Sequence, residues 1–108
     1  MDGVVACAAY GEGKKLGEVP FDHCGDWCKD NQFVWIGLYE PSEELMKVVQ
    51  EQFGFHDLAV EDAHNAHQRP KLEVYDNSLF VVLRTAQLVK GEIAYGETHV
   101  FVGKGYVV

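Results

Sequence analysis

The run Phe33-Val34-Trp35-Ile36-Gly37-Leu38-Tyr39 constrains the fold more than any other part of the sequence. It is rich in β-branched and aromatic residues and apolar at both alternating positions, the pattern of a strand covered on both faces in the middle of a sheet. Such a strand needs helices to cover it, and the next segment supplies one. Pro41-Ser42-Glu43-Glu44 places a capping hydroxyl and two carboxylates where a helix start leaves N–H groups unpaired and its dipole favours negative charge. Leu45, Met46, Val49 and Phe53 then recur at helical spacing, and Gly54 can stop the helix.

The rest of the sequence continues this succession. Residues 4–10 and 15–19 read as strands around the turn Gly11-Glu12-Gly13, and residues 21–29 as a short helix. A second full helix is expected over about residues 56–68, ending by Arg69 because Pro70 disfavours helical backbone in the residue before it. Residues 71–75 and 79–88 flank the turn-forming Asp76-Asn77-Ser78 and read as a hairpin. Residues 97–102 and 106–108 repeat the arrangement around Gly103-Lys104-Gly105. With no linker, repeat or low-complexity tract, and 47% hydrophobic residues, residues 1–108 form one domain. The expected class is α/β (α+β), a mixed sheet flanked by helices. The last residues fall inside a strand-like run, so the sequence is expected to be a portion of a longer polypeptide.

A formal charge of -8 would repel a phosphate backbone, which disfavours nucleic acid and makes cations plausible partners, although such charge also serves solubility alone. Cys7, Cys24 and Cys28 are an odd count without a secretory leader, which points to a reducing compartment. Cys24 and Cys28 could bind metal or form a redox pair, but their spacing departs from Cys-x-x-Cys, and partial burial is the plainer reading. No apolar run approaches the ~20 residues of a membrane-spanning helix. Gly11-Glu12-Gly13-Lys14-Lys15 lacks the spacing and hydroxyl of a phosphate-binding loop, no nucleophile elbow occurs, and His23, His56 and His99 stand isolated. The residues contain no recognisable catalytic centre, and an enzyme is not expected.

The second helix carries the candidate site. At about 100° per residue, Ala59, Val60, Ala63, Ala66 and His67 fall on one side, and Glu61, Asn65 and Gln68 opposite, with Asp62 and His64 flanking the apolar stripe. Adjacent Glu61 and Asp62 diverge too far to act as an acid/base dyad. They suit two arms of a hard-cation site completed by another segment or chain, because magnesium takes oxygen ligands and keeps several waters. The alternative is a solvated acidic face. Glu61, His64 and His67 also have the spacing of a transition-metal set, but Glu61 and His67 lie about 120° apart around the axis and His67 falls on the apolar side.

The stretch from Glu61 through His67-Gln68-Arg69-Pro70-Lys71 to Tyr75, followed by Leu79-Phe80-Val81-Val82-Leu83, resembles the signature of the amino-terminal domain of CorA-type magnesium and divalent cation transporters. Trp35-Ile36-Gly37-Leu38, the helix up to Phe55 and the strand at 97–102 follow in the family's order, so the resemblance covers residues 33–108. Asp57 stands where the family often has proline. The resemblance implies a truncated α/β/α sandwich hanging from the inner membrane into the cytosol as part of a homopentameric ion channel. The pore-forming helices and their Gly-Met-Asn loop would follow this chain. Zinc, nickel and cobalt transporters share that architecture. The resemblance also implies that Asp62, with Glu61, contributes to a regulatory Mg2+ site between protomers whose other acid lies on a later helix, so that internal Mg2+ favours a closed pore. Arg69 and Lys71 are expected to have structural roles beside Pro70, pairing with Glu73 or the preceding helix.

Overall fold

A computed structural model describes residues 3–27, 31–65 and 69–108. Seven strands, β1 (Val4–Gly11), β2 (Lys14–Glu18), β3 (Gln32–Leu38), β4 (Lys71–Tyr75), β5 (Ser78–Val89), β6 (Glu92–Gly103) and β7 (Tyr106–Val107), form one mixed sheet in the order β2-β1-β3-β7-β6-β5-β4. The β3–β7 pairing is parallel and the other neighbours are antiparallel. Helices α1 (Glu43–Phe53) and α2 (Asp57–His64) lie between β3 and β4 in the chain, and the described part of the expected short helix at 21–29 is a 3-10 segment (Phe21–Trp27) kinked at His23. Cys28 lies outside the described residues, as do Ala66, His67 and Gln68.

Local chemistry sets the hairpins. Glu12 and Gly13, and likewise Lys90 and Gly91, all have positive φ, which gives the two-residue turns whose twist matches that of the flanking strands. Through the Lys90-Gly91 turn, β5 runs to Val89 and β6 starts at Glu92, so the hairpin is longer than the expected 79–88 and 97–102. Gly103 has a different reason to be glycine: a Cβ there would collide with the ring of Tyr106, which lies across it.

The packing corrects one expectation. Val34 and Ile36 are buried, but Phe33 and Trp35, facing the other way, remain 39% and 48% exposed, so β3 is covered on one face and not on both. It is still an interior strand, beside the central β7. Both helices and the 3-10 segment share that covered face. There Leu45, Met46 and Val49 of α1 meet Phe55, Ala59, Phe80, Val82, Phe101 and Tyr106, while Cys24 meets Cys7, Ala9, Val19, Val34 and Ile36. Leu72, Val74, Leu79 and Leu83 join Phe33 and Trp35 among the exposed apolar side chains of the opposite face. These residues therefore form one helical layer and the sheet of the expected α+β fold.

Candidate functional site

Helix α2 is anchored to the edge strand β4 at both ends. At its start, His56 is the N-cap, its Nδ1 accepting from the Leu58 N–H at 3.1 Å, and its ring stacks on Tyr75 with centroids 4.5 Å apart. Asp57, standing in the first turn, accepts from Gln50 Nε2 of α1 at 2.7 Å and lies in the favourable field of the helix N-terminus. Ala59 is buried, Val60 and Ala63 are partly buried, and Glu61 is exposed, as the helical wheel requires.

At the other end, the Lys71 ammonium donates to Asp62 Oδ2 at 2.8 Å and pairs with Glu73 Oε1 at 2.8 Å. The Tyr75 hydroxyl donates to the second oxygen of Glu73. Strand periodicity explains the row, since Lys71, Glu73 and Tyr75 alternate along β4 on the face that α2 covers. Each group shifts its neighbour. The hydrogen bonds from Lys71 and then Tyr75 hold the Glu73 carboxyl below its ordinary range, while Asp62 and Glu73 push Lys71 up and Glu73 pushes Tyr75 up. The expected structural role of Lys71 is therefore met twice over, with Glu73 and with the preceding helix.

Asp62 and Glu61 thus share the last turn of α2 but face different surroundings. Asp62 is half-buried against Lys71, and Glu61 points to solvent. Carboxylate oxygens are the ligand type magnesium takes, and here Asp62 is occupied by the Lys71 ammonium while Glu61 is exposed. Among the described residues no group of three or more His, Cys, Asp or Glu is placed to hold a metal ion of either kind, hard or soft. His64 is exposed, and His67 lies outside the described residues.

Two further arrangements were not legible in the sequence. A groove of about 830 Å³ runs between Leu38–Pro41, the end of α2 and the β5–β6 hairpin, lined by His64, Glu97 and His99 among others. Along it His99 Nε2 lies 3.1 Å from Glu97 Oε2 and the His99 ring meets the edge of Phe80, so His99 is not isolated. The two residues are alternate positions of β6, a signal that strand periodicity carries but that means little until the strand's pairing is known. The second is Cys24, whose neighbour is Cys7. Their separation of 17 residues carries no local signal.

Comparison with known proteins identifies the family and the fold. The profile of the family described as CorA-like Mg2+ transporter protein matches residues 30–108. YfjQ of Bacillus subtilis, named as a metal ion transporter, is 34% identical over 79 residues, which are 73% of this chain and 24% of that protein. The cobalt/magnesium transport protein CorA of Thermotoga maritima is 46% identical over 41 residues, 38% of this chain and 12% of that protein. The solved soluble domain of CorA from Methanocaldococcus jannaschii superposes with a TM-score of 0.63 at 17% identity, over 99% of this chain and 40% of that one, a likeness of fold. The chain spans a quarter or less of the length of these curated relatives, and none of its described helices is long and apolar enough to cross a membrane. Matched over more than half its length, the chain belongs to the CorA-like Mg2+ transporter family.

Proposed function

We propose that this chain is the cytoplasmic regulatory part of a divalent cation channel that assembles as a homopentamer, and that Asp62 and Glu61 form its half of a Mg2+-sensing site between protomers. The observation that carries the reading is the family match over residues 30–108, with Asp62 and Glu61 together on the last turn of α2, where Lys71 sits on Asp62 and competes with an added ion. Asp62 and Glu61 supply hard oxygen donors, and acids from a neighbouring protomer complete the set. Bringing the two acidic faces together costs repulsion, which a shared cation offsets, so the ion favours the closed, symmetric arrangement. The ion shifts the equilibrium only by its preference for that state, and each carboxylate removed lowers the preference. Whether the conducted ion is Mg2+, Co2+, Ni2+ or Zn2+ depends on a pore beyond these residues.

The test uses the full-length protein. Current through membrane patches is recorded across a range of internal Mg2+ in wild type and in Glu61→Gln/Asp62→Asn, with pentamer assembly checked in parallel. The double variant keeps side-chain shape and removes two charges, so half-maximal inhibition should move to Mg2+ concentrations about fivefold higher or more, within the range typical of allosteric coupling. An unchanged curve in an assembled double variant removes these carboxylates from the sensor.

A further inference from the structure

Outside the α2 site, the chain holds a pair of buried cysteines in contact. Cys7 on β1 and Cys24 in the 3-10 segment bring their sulfurs to 2.8 Å, with Cys7 only 7% and Cys24 0% exposed. Val19 N–H donates to the Cys7 carbonyl at 3.1 Å, which ties the chain leaving β2 to β1 just before the 3-10 segment begins. The Cys24 thiol also lies 3.3 Å from the Pro20 carbonyl, which orients it within the pocket. Ala9, Val19, Val34 and Ile36 complete the surroundings.

We propose that Cys7 and Cys24 are a reversible disulfide site that responds to peroxide and fastens the 3-10 segment to β1. The thiols are in contact, so closing to the ~2.05 Å of a disulfide requires a movement of less than about 1 Å. The segment carrying Cys24 can supply it, because His23 interrupts its helical backbone. A small oxidant suits sulfurs this buried, and Cys7 is the less enclosed of the two. In the first step the Cys7 sulfur attacks one oxygen of hydrogen peroxide; the O–O bond breaks, Cys7 becomes a sulfenic acid, and the departing hydroxide takes up the thiol proton as water. In the second, the Cys24 sulfur attacks the Cys7 sulfur; the S–S bond forms, the S–O bond breaks, and a second water leaves. Two thiols and one peroxide thus give one disulfide and two waters, and a dithiol reductant reverses the change. Burial holds the Cys7 thiol above its ordinary range, so little thiolate is present near neutral pH and the first step is slow.

Peptide mapping tests this on the protein carrying this chain. After treatment with hydrogen peroxide and alkylation, trypsin leaves Cys7 on residues 1–14, and further cleavage before aspartate trims this to 2–14 and puts Cys24 on 22–25 and Cys28 on 26–29. The expected product is the Cys7 peptide joined to the Cys24 peptide, two hydrogens lighter than their sum, lost on reduction and retained in Cys28→Ala. The joined protein should also melt several degrees higher, since a cross-link restricts the unfolded chain. In Cys24→Ala the Cys7 sulfenic acid should persist and react with dimedone. A Cys24–Cys28 link, unchanged alkylation of Cys7 and Cys24, or Cys7 sulfinic acid without linkage would overturn the proposal.

Discussion

Each helix carries two adjacent acids, placed at opposite ends. Glu43 and Glu44 occupy the first turn of α1, and Glu61 and Asp62 the last turn of α2. At a helix start the unpaired N–H groups and the dipole stabilise carboxylates, so Glu43 and Glu44 need no cation, and the Ser42 hydroxyl accepts from Leu45 N–H at 3.1 Å beside them. At a helix end the same field opposes negative charge by about 0.3–1 kcal/mol per group. There the protein supplies a cation of its own, Lys71, held also by Glu73. Position on the helix, more than the number of acids, distinguishes the capping pair of α1 from Asp62, which takes up Lys71.

The comparison can be broken first on stability. If α1 is scaffold and α2 is the platform for the site, Leu45→Ala, at a side chain with 0% exposure, should cost about 2–5 kcal/mol. Leu58→Ala on α2, 56% exposed, should stay within about 0.5 kcal/mol. Urea unfolding of the two variants decides the point, and equal losses would dissolve the division of labour.

A smaller effect follows from the row on β4. Glu73 is held below its ordinary value of 4.5, so its contribution is complete above that value and is lost as pH falls through the lower folded value. Lys71 is raised above its ordinary 10.5, so its contribution is complete below that value and is lost only at higher, alkaline pH. Between neutral pH and about pH 3, wild type should therefore lose more stability than Glu73→Gln. Parallel losses, followed by the urea midpoint at each pH, would show that the row does not stabilise the fold.

Helix α1 was legible because every signal for it is local: Ser42 as cap, Leu45, Met46 and Val49 at helical spacing, and Gly54 at φ 71° as the stop. The hairpin turns were legible for the same reason, except at Lys90-Gly91, where flanking residues such as Leu88, Ile93 and Tyr95 remain exposed and no burial pattern marks the strands. The expected double covering of β3 failed because aromatic residues at both parities show which faces are apolar, and not which residues cover them. At the site, Glu61 and Asp62 were visible as chemistry, but the clamp of Lys71 on Asp62 joins a helix to an edge strand, and only the register of β4 on β5 puts Lys71 on the same face as Phe80. The Cys7–Cys24 contact required the whole topology.

The most direct test of the central claim is a Mg2+ titration of this chain followed by backbone amide NMR shifts, with Glu43 and Glu44 as an internal control. Weak binding, about millimolar, should perturb residues around Glu61, Asp62 and Lys71 and leave the first turn of α1 unmoved. Lys71→Met, which removes the built-in cation, should tighten that response several-fold, and Glu61→Gln/Asp62→Asn should abolish it. Equal shifts at both acidic pairs, or shifts at neither, would contradict the assignment of the end of α2 as the cation-binding half-site.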